Sequence, residues 1–246
     1  MQDWDAVTYD RIADPHVRWG ASVLDRLDVR GVERVLDAGC GSGRVTEQLL
    51  ARIPGGEVLA LDASPAMLAQ ARVRLAAFGP RVRFVQADLR DPLPVGTPVD
   101  AIVSTATFHW VLDHDALFRN LAAALRPGGQ LVAQCGGAGN VARVLDVVRE
   151  LGYDESGTWE YATPEQTEQR LHRAGFGEAR AWLEPAPTRL EPGGPFETFL
   201  ATIVLRPTLA RLPEEERAAF VRAVAARLPA PEIDYVRLNM VARRAS

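Results

Sequence analysis

Three carboxylates and three glycines between Asp37 and Asp88 have the spacing that chemistry needs. Asp37 stands two residues ahead of Gly39-Cys-Gly41-Ser-Gly43, Asp62 closes an apolar run, and Asp88 follows another. A glycine-rich turn after a strand lets the backbone approach a ligand and take up positive φ. The helix beyond it then offers its N-terminal N–H groups to an anion. Ligands that use such turns include dinucleotides, triphosphates and nucleosides. A dinucleotide fold wants G-x-G-x-x-G, and here the third glycine comes one residue early. A triphosphate loop ends in Gly-Lys-Ser/Thr, and the chain has no Lys. A second group of residues lies at Ser104-Thr-Ala-Thr-Phe-His-Trp110. There His109 is a candidate general base, or equally a donor that orients an acceptor. Arg206, in Leu205-Arg-Pro207, is a candidate partner for a carboxylate.

These side chains act together only if the chain brings them to one edge, and an alternation of strands and helices does so. Glu33 to Asp37 reads as a strand, followed by a helix from Arg44 to Arg52 with Val45, Leu49 and Leu50 at helical spacing. Glu57 to Asp62 is the second strand. Ser64-Pro65 supplies a cap and a first helical position for a helix expected to reach about Phe78. Arg81 to Ala87 and Val99 to Ser104 are the next strands. Asp113 caps a helix expected to end at Arg126-Pro-Gly-Gly129, and Leu131 to Cys135 is the fifth strand. Asn140 to Leu151 then reads as a helix, and Thr163-Pro-Glu-Gln166 as a capping-box start of another that stops at Gly175. Ala179 to Leu183 is a strand, residues 185–195 a stiff connector, and helices follow at about 196 to 205 and 214 to 228. Ile233 to Ala242 is the last strand. Successive βα units of this kind predict a mostly parallel sheet with helices on both faces. Its ligand belongs at the carboxyl ends of the strands, where the strand order reverses.

Composition narrows the function classes. The chain has 246 residues, 47% of them hydrophobic and 24% charged, as in an ordinary globular protein. No apolar run approaches the roughly 18 residues of a membrane span, and the start lacks a signal-peptide pattern, so a cytoplasmic location and no membrane partner are expected. Cys40 and Cys135 have no metal-ligand spacing and are expected to be free thiols. All 28 basic residues are Arg, which excludes Schiff-base catalysis by Lys. A net charge of -4 argues against a nucleic-acid surface and for a small-molecule partner.

Asp37 with Gly39, Gly41 and Gly43 resembles motif I of the class I S-adenosylmethionine-dependent methyltransferases. The resemblance extends through Asp62, Ala87-Asp88-Leu89 and Arg126-Pro-Gly-Gly129. It implies a Rossmann-like α/β sheet of seven strands, mostly parallel with an antiparallel last strand, and small helical lid elements. It also implies S-adenosylmethionine as cofactor and S-adenosylhomocysteine as product. In that reading Asp37 lies near the ammonium, Asp62 takes the ribose hydroxyls and Asp88 accepts from the adenine amino group. Ala63, Met67 and Leu89 flank the ring, Ser104 at the next strand end is a further cofactor contact, and Tyr9 is a lid contact. Residues 1–246 are expected to form one domain. Its parts would be a helical cap at 1–30, a cofactor-binding half at 31–136 and a substrate-side half at 137–246, with a helical insertion at about 195–230.

Phe108-His-Trp110, with Leu205-Arg-Pro207, Leu209, Leu212, Arg217 and Phe220, resembles the trans-aconitate methyltransferases and their relatives. That likeness implies a methyl ester of a small carboxylic acid, with His109, Trp110 and Arg206 on the acceptor side. The chain departs from the family at Ala181-Trp-Leu-Glu-Pro185, where the relatives have a Trp, Tyr and His cluster. Ser104-Thr105 offers no carboxylate for a metal, so none is expected. Two alternatives stay open: O- or N-methylation of a secondary metabolite, and a protein of this fold that binds the cofactor without transferring methyl.

Overall fold

Apolar strands alternate with amphipathic helices in the computed structural model, which describes residues 14–246, with side chains from Trp19 onward. Tyr9 lies outside the described residues. Helix α1 (Asp14–Leu24) leads into β1 (Arg34–Ala38), α2 (Arg44–Arg52), β2 (Glu57–Asp62), α3 (Pro65–Arg74) and β3 (Val82–Gln86). The chain continues through β4 (Val99–Thr105), α4 (His114–Ala124), β5 (Leu125–Gly136), α5 (Ala142–Glu150), α6 (Pro164–Arg173) and β6 (Phe176–Pro185). After β7 (Thr188–Arg189) come α7 (Gly194–Phe199), α8 (Arg206–Ala210), α9 (Glu214–Arg227), β8 (Glu232–Ile233) and β9 (Val236–Arg244).

Seven strands form one sheet in the order β3-β2-β1-β4-β5-β9-β6. The β1–β2, β1–β4, β2–β3 and β4–β5 pairs are parallel, and β9 runs antiparallel to both β5 and β6. The Rossmann-like arrangement follows from buried runs such as Val58 to Leu61 and Leu131 to Cys135, which suit strands covered on both faces. Leu36, Leu59, Ile102 and Phe118 belong to one apolar cluster, and Val35, Val58, Ala101 and Leu49 to another. Alternate residues of the same strands thus enter different cores. A third cluster joins α5, α7 and α9 through Val144, Phe199 and Val224.

Several boundaries differ from expectation for local physical reasons. The helix expected to reach Phe78 ends at Arg74, and a short 3₁₀ segment over Ala76–Arg81 carries Gly79 at φ 55° and Pro80. Helix α4 stops at Ala124, because Pro127 disfavours helical geometry at Arg126. Residues 125–129 instead belong to β5, with a shift in its pairing to β4 between Val99 and Ala101. The expected last strand is interrupted at Asp234-Tyr235. The Asp234 carbonyl accepts from Val141 N–H at 3.1 Å and its carboxylate from Arg143 N–H at 2.9 Å, while Ile233 pairs with Thr188 in a separate ribbon. The helix read at 196 to 205 widens after α7 into a π turn over Leu200–Val204, closed by Leu205 N–H to the Leu200 carbonyl at 2.8 Å.

Candidate functional site

The strand order reverses between β1 and β4, and the turns that leave these two strands face each other. Gly39, Gly41 and Gly43 have φ of 83°, 54° and 84°, which an L side chain rarely adopts. At Gly39 a Cβ would also stand 2.3 Å from Thr107 at the end of β4, so the turn packs on its neighbour without room for a methyl. Gly39 and Cys40 N–H groups donate to the Leu61 carbonyl at 2.8 and 2.9 Å. Asp62 completes the junction. One carboxylate oxygen accepts from Gly41 N–H at 2.9 Å and the other from Ser64 N–H at 2.8 Å, which fixes its orientation at the end of β2.

Asp37 is 2% exposed and accepts from the Thr46 hydroxyl at 2.6 Å. Burial pushes its carboxyl up to about 7, with the nearby Asp62 charge adding to the effect and the Thr46 bond opposing it. Asp88 is held differently. Its carboxylate accepts from Arg90 N–H at 2.9 Å and is gripped by that guanidinium at 2.6 and 3.0 Å, which keeps its pKa below the usual range.

A cavity of about 630 Å³ follows these turns. Asp37, Gly39, Gly41, Asp62, Ala63, Met67, Asp88 and Leu89 line one part, and Trp110 and Arg206 line it from the other elements. Gly43 takes the left-handed turn that starts α2, with Leu75 and Ala71 against its α-carbon. Ser104 does not belong here, contrary to expectation. It is 1% exposed, and its hydroxyl donates to the Ala38 carbonyl at 2.6 Å, tying β4 to β1. The next residues, Thr105, Ala106 and Thr107, reach the cavity instead. Ala106 has φ 58°, a conformation that costs a non-glycine residue roughly 1–2 kcal/mol.

His109 lines a smaller cavity of about 50 Å³, which shares Ala106 and Trp110 with the larger one. Its Nδ1 accepts from Gly136 N–H at 3.3 Å, so the neutral ring carries its proton on Nε2. Beside it, Trp159 and Tyr161 were not singled out from the sequence. The His109 and Tyr161 rings stack at 5.9 Å, Trp159 stacks on Tyr161 at 5.7 Å, and Trp110 meets Trp159 at 5.7 Å. Arg237, from the start of β9, and Asn140 close this cavity. The available signal was Trp159-Glu-Tyr161, two aromatics at alternate positions of an extended stretch just before the Thr163 cap.

A polar chain beneath the rings holds them. His114, 1% exposed at the start of α4, donates from Nε2 to the Phe108 carbonyl at 3.0 Å and faces Arg170 through Nδ1 at 3.3 Å. Burial lowers its pKa. Arg170 pairs with Glu160 at 2.7 Å, and Glu160 N–H donates to the His109 carbonyl at 3.0 Å. His172 lies on an exposed helix face. Glu184 stays out of both cavities, accepting from Asn239 at 3.3 Å beside Arg26. Among the described residues, no three His, Cys, Asp or Glu side chains are grouped to hold a metal, and no helix is long and apolar enough to cross a membrane.

A family model described as a methyltransferase domain matches residues 35–129. The chain is 42% identical over 134 residues to trans-aconitate 2-methyltransferase of Acidovorax sp. (strain JS42), which covers 54% of this chain and 50% of the relative. That match spans about half the relative's length. A second trans-aconitate 2-methyltransferase, from Methylobacterium radiotolerans, is 31% identical over 268 residues, covering 100% of both chains. Among solved structures, phosphoethanolamine N-methyltransferase 2 of Haemonchus contortus, in complex with phosphomonomethylethanolamine and S-adenosylhomocysteine, superposes with a TM-score of 0.63. It is 20% identical and covers 98% of this chain and 56% of that one, a likeness that speaks for the fold. With a full-length relative above 30% identity, a matching methyltransferase domain and the motif I turn at the switch point, the chain belongs to the class I S-adenosylmethionine-dependent methyltransferases, in the trans-aconitate 2-methyltransferase-like group.

Proposed function

We propose that this chain transfers the methyl group of S-adenosylmethionine to a carboxylate oxygen of a small organic acid. The larger cavity fits the cofactor. Its volume of about 630 Å³ falls within the range of small-molecule sites. A Cβ built on Gly41 would meet nothing within 4 Å, which leaves room for a ligand against the backbone. In this reading Asp62, oriented by two backbone N–H groups, takes the ribose hydroxyls. Asp88 receives the adenine amino group while shared with Arg90, and Ala63, Met67 and Leu89 flank the ring. Asp37 supplies negative charge toward the ammonium. When bound, the cofactor supplies an electrophilic methyl group on a sulfonium.

His109 carries the choice of acceptor. Its Nδ1 is used by Gly136 N–H, so the neutral ring presents an N–H donor at Nε2 and not a base. A phenol or ammonium group needs a base, whereas a carboxylate is already ionised. In the transfer an oxygen lone pair forms the O–CH₃ bond, the S–CH₃ pair stays on sulfur, and no proton moves. Arg206, in the wall of the larger cavity, holds the acceptor anion, and Trp110 helps keep water from it. Orientation and exclusion of water are worth up to roughly 7–11 kcal/mol in such reactions.

The test is to incubate the protein with methyl-labelled cofactor and a pool of small acids, phenols and amines, then treat the product with mild alkali. Release of label as methanol is the expected result. Label stable to alkali means an ether or an amine and overturns the carboxylate reading. On the acid that is esterified, His109→Ala lowers kcat by less than about 10-fold, because general-base catalysis, typically worth about 10²–10⁴-fold, is not in play.

A further inference from the structure

Helix α8 brings Arg206, Pro207 and Ala210 to the wall of the larger cavity, yet it has only five residues. A helix that short does not hold itself in water. It is entered through the π turn over Leu200–Val204, an uncommon geometry that leaves the ladder without regular α-helical bonds. The place of α8 is therefore set by what its side chains touch. At 100° per residue its residues divide between two faces. Arg206, Pro207 and Ala210 share the one toward the cavity. Thr208 and, three residues on, Arg211 share the other, and both donate to Glu155.

The Glu155 side chain is 6% exposed and lines neither cavity. Its Oε1 accepts from the Thr208 hydroxyl at 2.5 Å and from the Arg211 guanidinium, and its Oε2 from the Thr158 hydroxyl at 2.9 Å. The Glu155 carbonyl accepts from Thr158 N–H at 3.1 Å, which closes a turn. Beyond that turn Thr158 lines the larger cavity, and Trp159 and Tyr161 line the smaller one. One carboxylate thus ties together two walls whose segments lie 53 residues apart in the chain. A charge taken out of water is costly to leave unpaired, so the three donors and the carboxylate hold one another in place.

We infer that Glu155 is a positioning residue for methyl transfer: by joining α8 to the turn at Thr158 it sets the place of Arg206 in the cavity wall. This rests on the carboxylate-methylation reading above, in which Arg206 holds the acceptor. A merely structural Glu155 would act whether or not Arg206 is present, whereas a positioning residue acts only through it.

The experiment is a double-mutant cycle on the whole chain, read as KM for the acid that is esterified. Arg206→Met and Glu155→Ala are each expected to raise that KM by about 10-fold, within the range for coupled neighbours. In the Arg206→Met background, Glu155→Ala is expected to change it by less than about twofold. Glu155→Gln keeps an acceptor for the two hydroxyls and should recover part of the loss. Calorimetric affinity for S-adenosylmethionine, whose proposed contacts lie on the turns after β1, β2 and β3, should stay within about threefold in each variant. If Glu155→Ala does not fold, Thr208→Val removes one bond to the carboxylate and takes its place in the cycle. Effects of Glu155→Ala that are equal with and without Arg206, or an unchanged KM in Glu155→Ala, overturn the assignment of Glu155 alone. An unchanged KM in Arg206→Met overturns the role of Arg206 and this inference while leaving ester formation intact. No ester from any acid, with label appearing in a phenol or amine, overturns the carboxylate reading and this inference with it.

Discussion

Asp37 ties a single buried proton to both stability and cofactor binding. Burial lifts its carboxyl from 3.8 to about 7, so between these values the folded chain holds a proton that the unfolded chain has released. The stability that Asp37 contributes to the ligand-free protein is present below about pH 4 and is lost as pH rises from about 4 to 7. A cationic ligand beside Asp37 favours its ionised form, so binding of S-adenosylmethionine at pH 7 is expected to release a proton. Calorimetry in buffers of different ionisation enthalpy reads this directly. Wild type should show a buffer-dependent heat that Asp37→Asn loses, and proton uptake by the wild type would refute the placement. The sequence was enough to single out Asp37, Asp62 and Asp88, because each ends a strand at the same edge. It did not reveal that Asp88 shares its carboxylate with Arg90, or that Ser104 spends its hydroxyl on Ala38. Those partners are chosen by side-chain rotamers and by a β1–β4 adjacency that no local spacing encodes.

At the scale of elements, the glycine turn separates two jobs that the motif combines. Gly41 has φ 54° and open space around its α-carbon, so Gly41→Ala carries only the backbone cost of roughly 1–2 kcal/mol. In a chain of this size that is about 2–8 °C in Tm. In the proposed reading the added methyl stands against the cofactor, and affinity for S-adenosylmethionine is expected to fall by roughly 10-fold or more, one factor of ten being about 1.4 kcal/mol. Gly39→Ala adds the clash with Thr107 and should melt lower still, even without cofactor. Equal melting temperatures for the two variants would show that the β1 and β4 turns do not depend on that contact. Element identity was largely legible, since caps such as Ser64, Asp113 and Thr163 bond as their side chains suggest. Boundaries moved where a tertiary bond outweighed periodicity. At Asp234-Tyr235 a run that reads as one strand divides, because the Asp234 carbonyl accepts from Val141 N–H and its carboxylate from Arg143 N–H.

For the whole molecule, the larger cavity, proposed above as the cofactor site, lies at the switch point of the sheet and is lined by residues that follow β1, β2, β3 and β4. Cofactor at 100 times its Kd should raise unfolding free energy by about 2.7 kcal/mol, which corresponds to roughly 5–10 °C in Tm. A thermal melt with S-adenosylmethionine, run beside one with NADH, checks this. A shift with NADH in its place would restore the dinucleotide reading that the glycine spacing argues against.

The sequence by itself was sufficient to determine the fold family and to bring the glycine turn, Asp37, Asp62 and Asp88 to one edge of the sheet. Each strand, turn and carboxylate there lies within one short βα unit, and the right-handed crossover leaves those units one way to assemble. The small cavity beside His109 was decided only in three dimensions. His109, Tyr161 and Arg237 come from segments more than 50 residues apart, and they meet because an antiparallel strand inserted between β5 and β6 carries Arg237 back to the edge where β4 ends. Nothing in the spacing around residue 237 records that approach, since it depends on strand direction and sheet order.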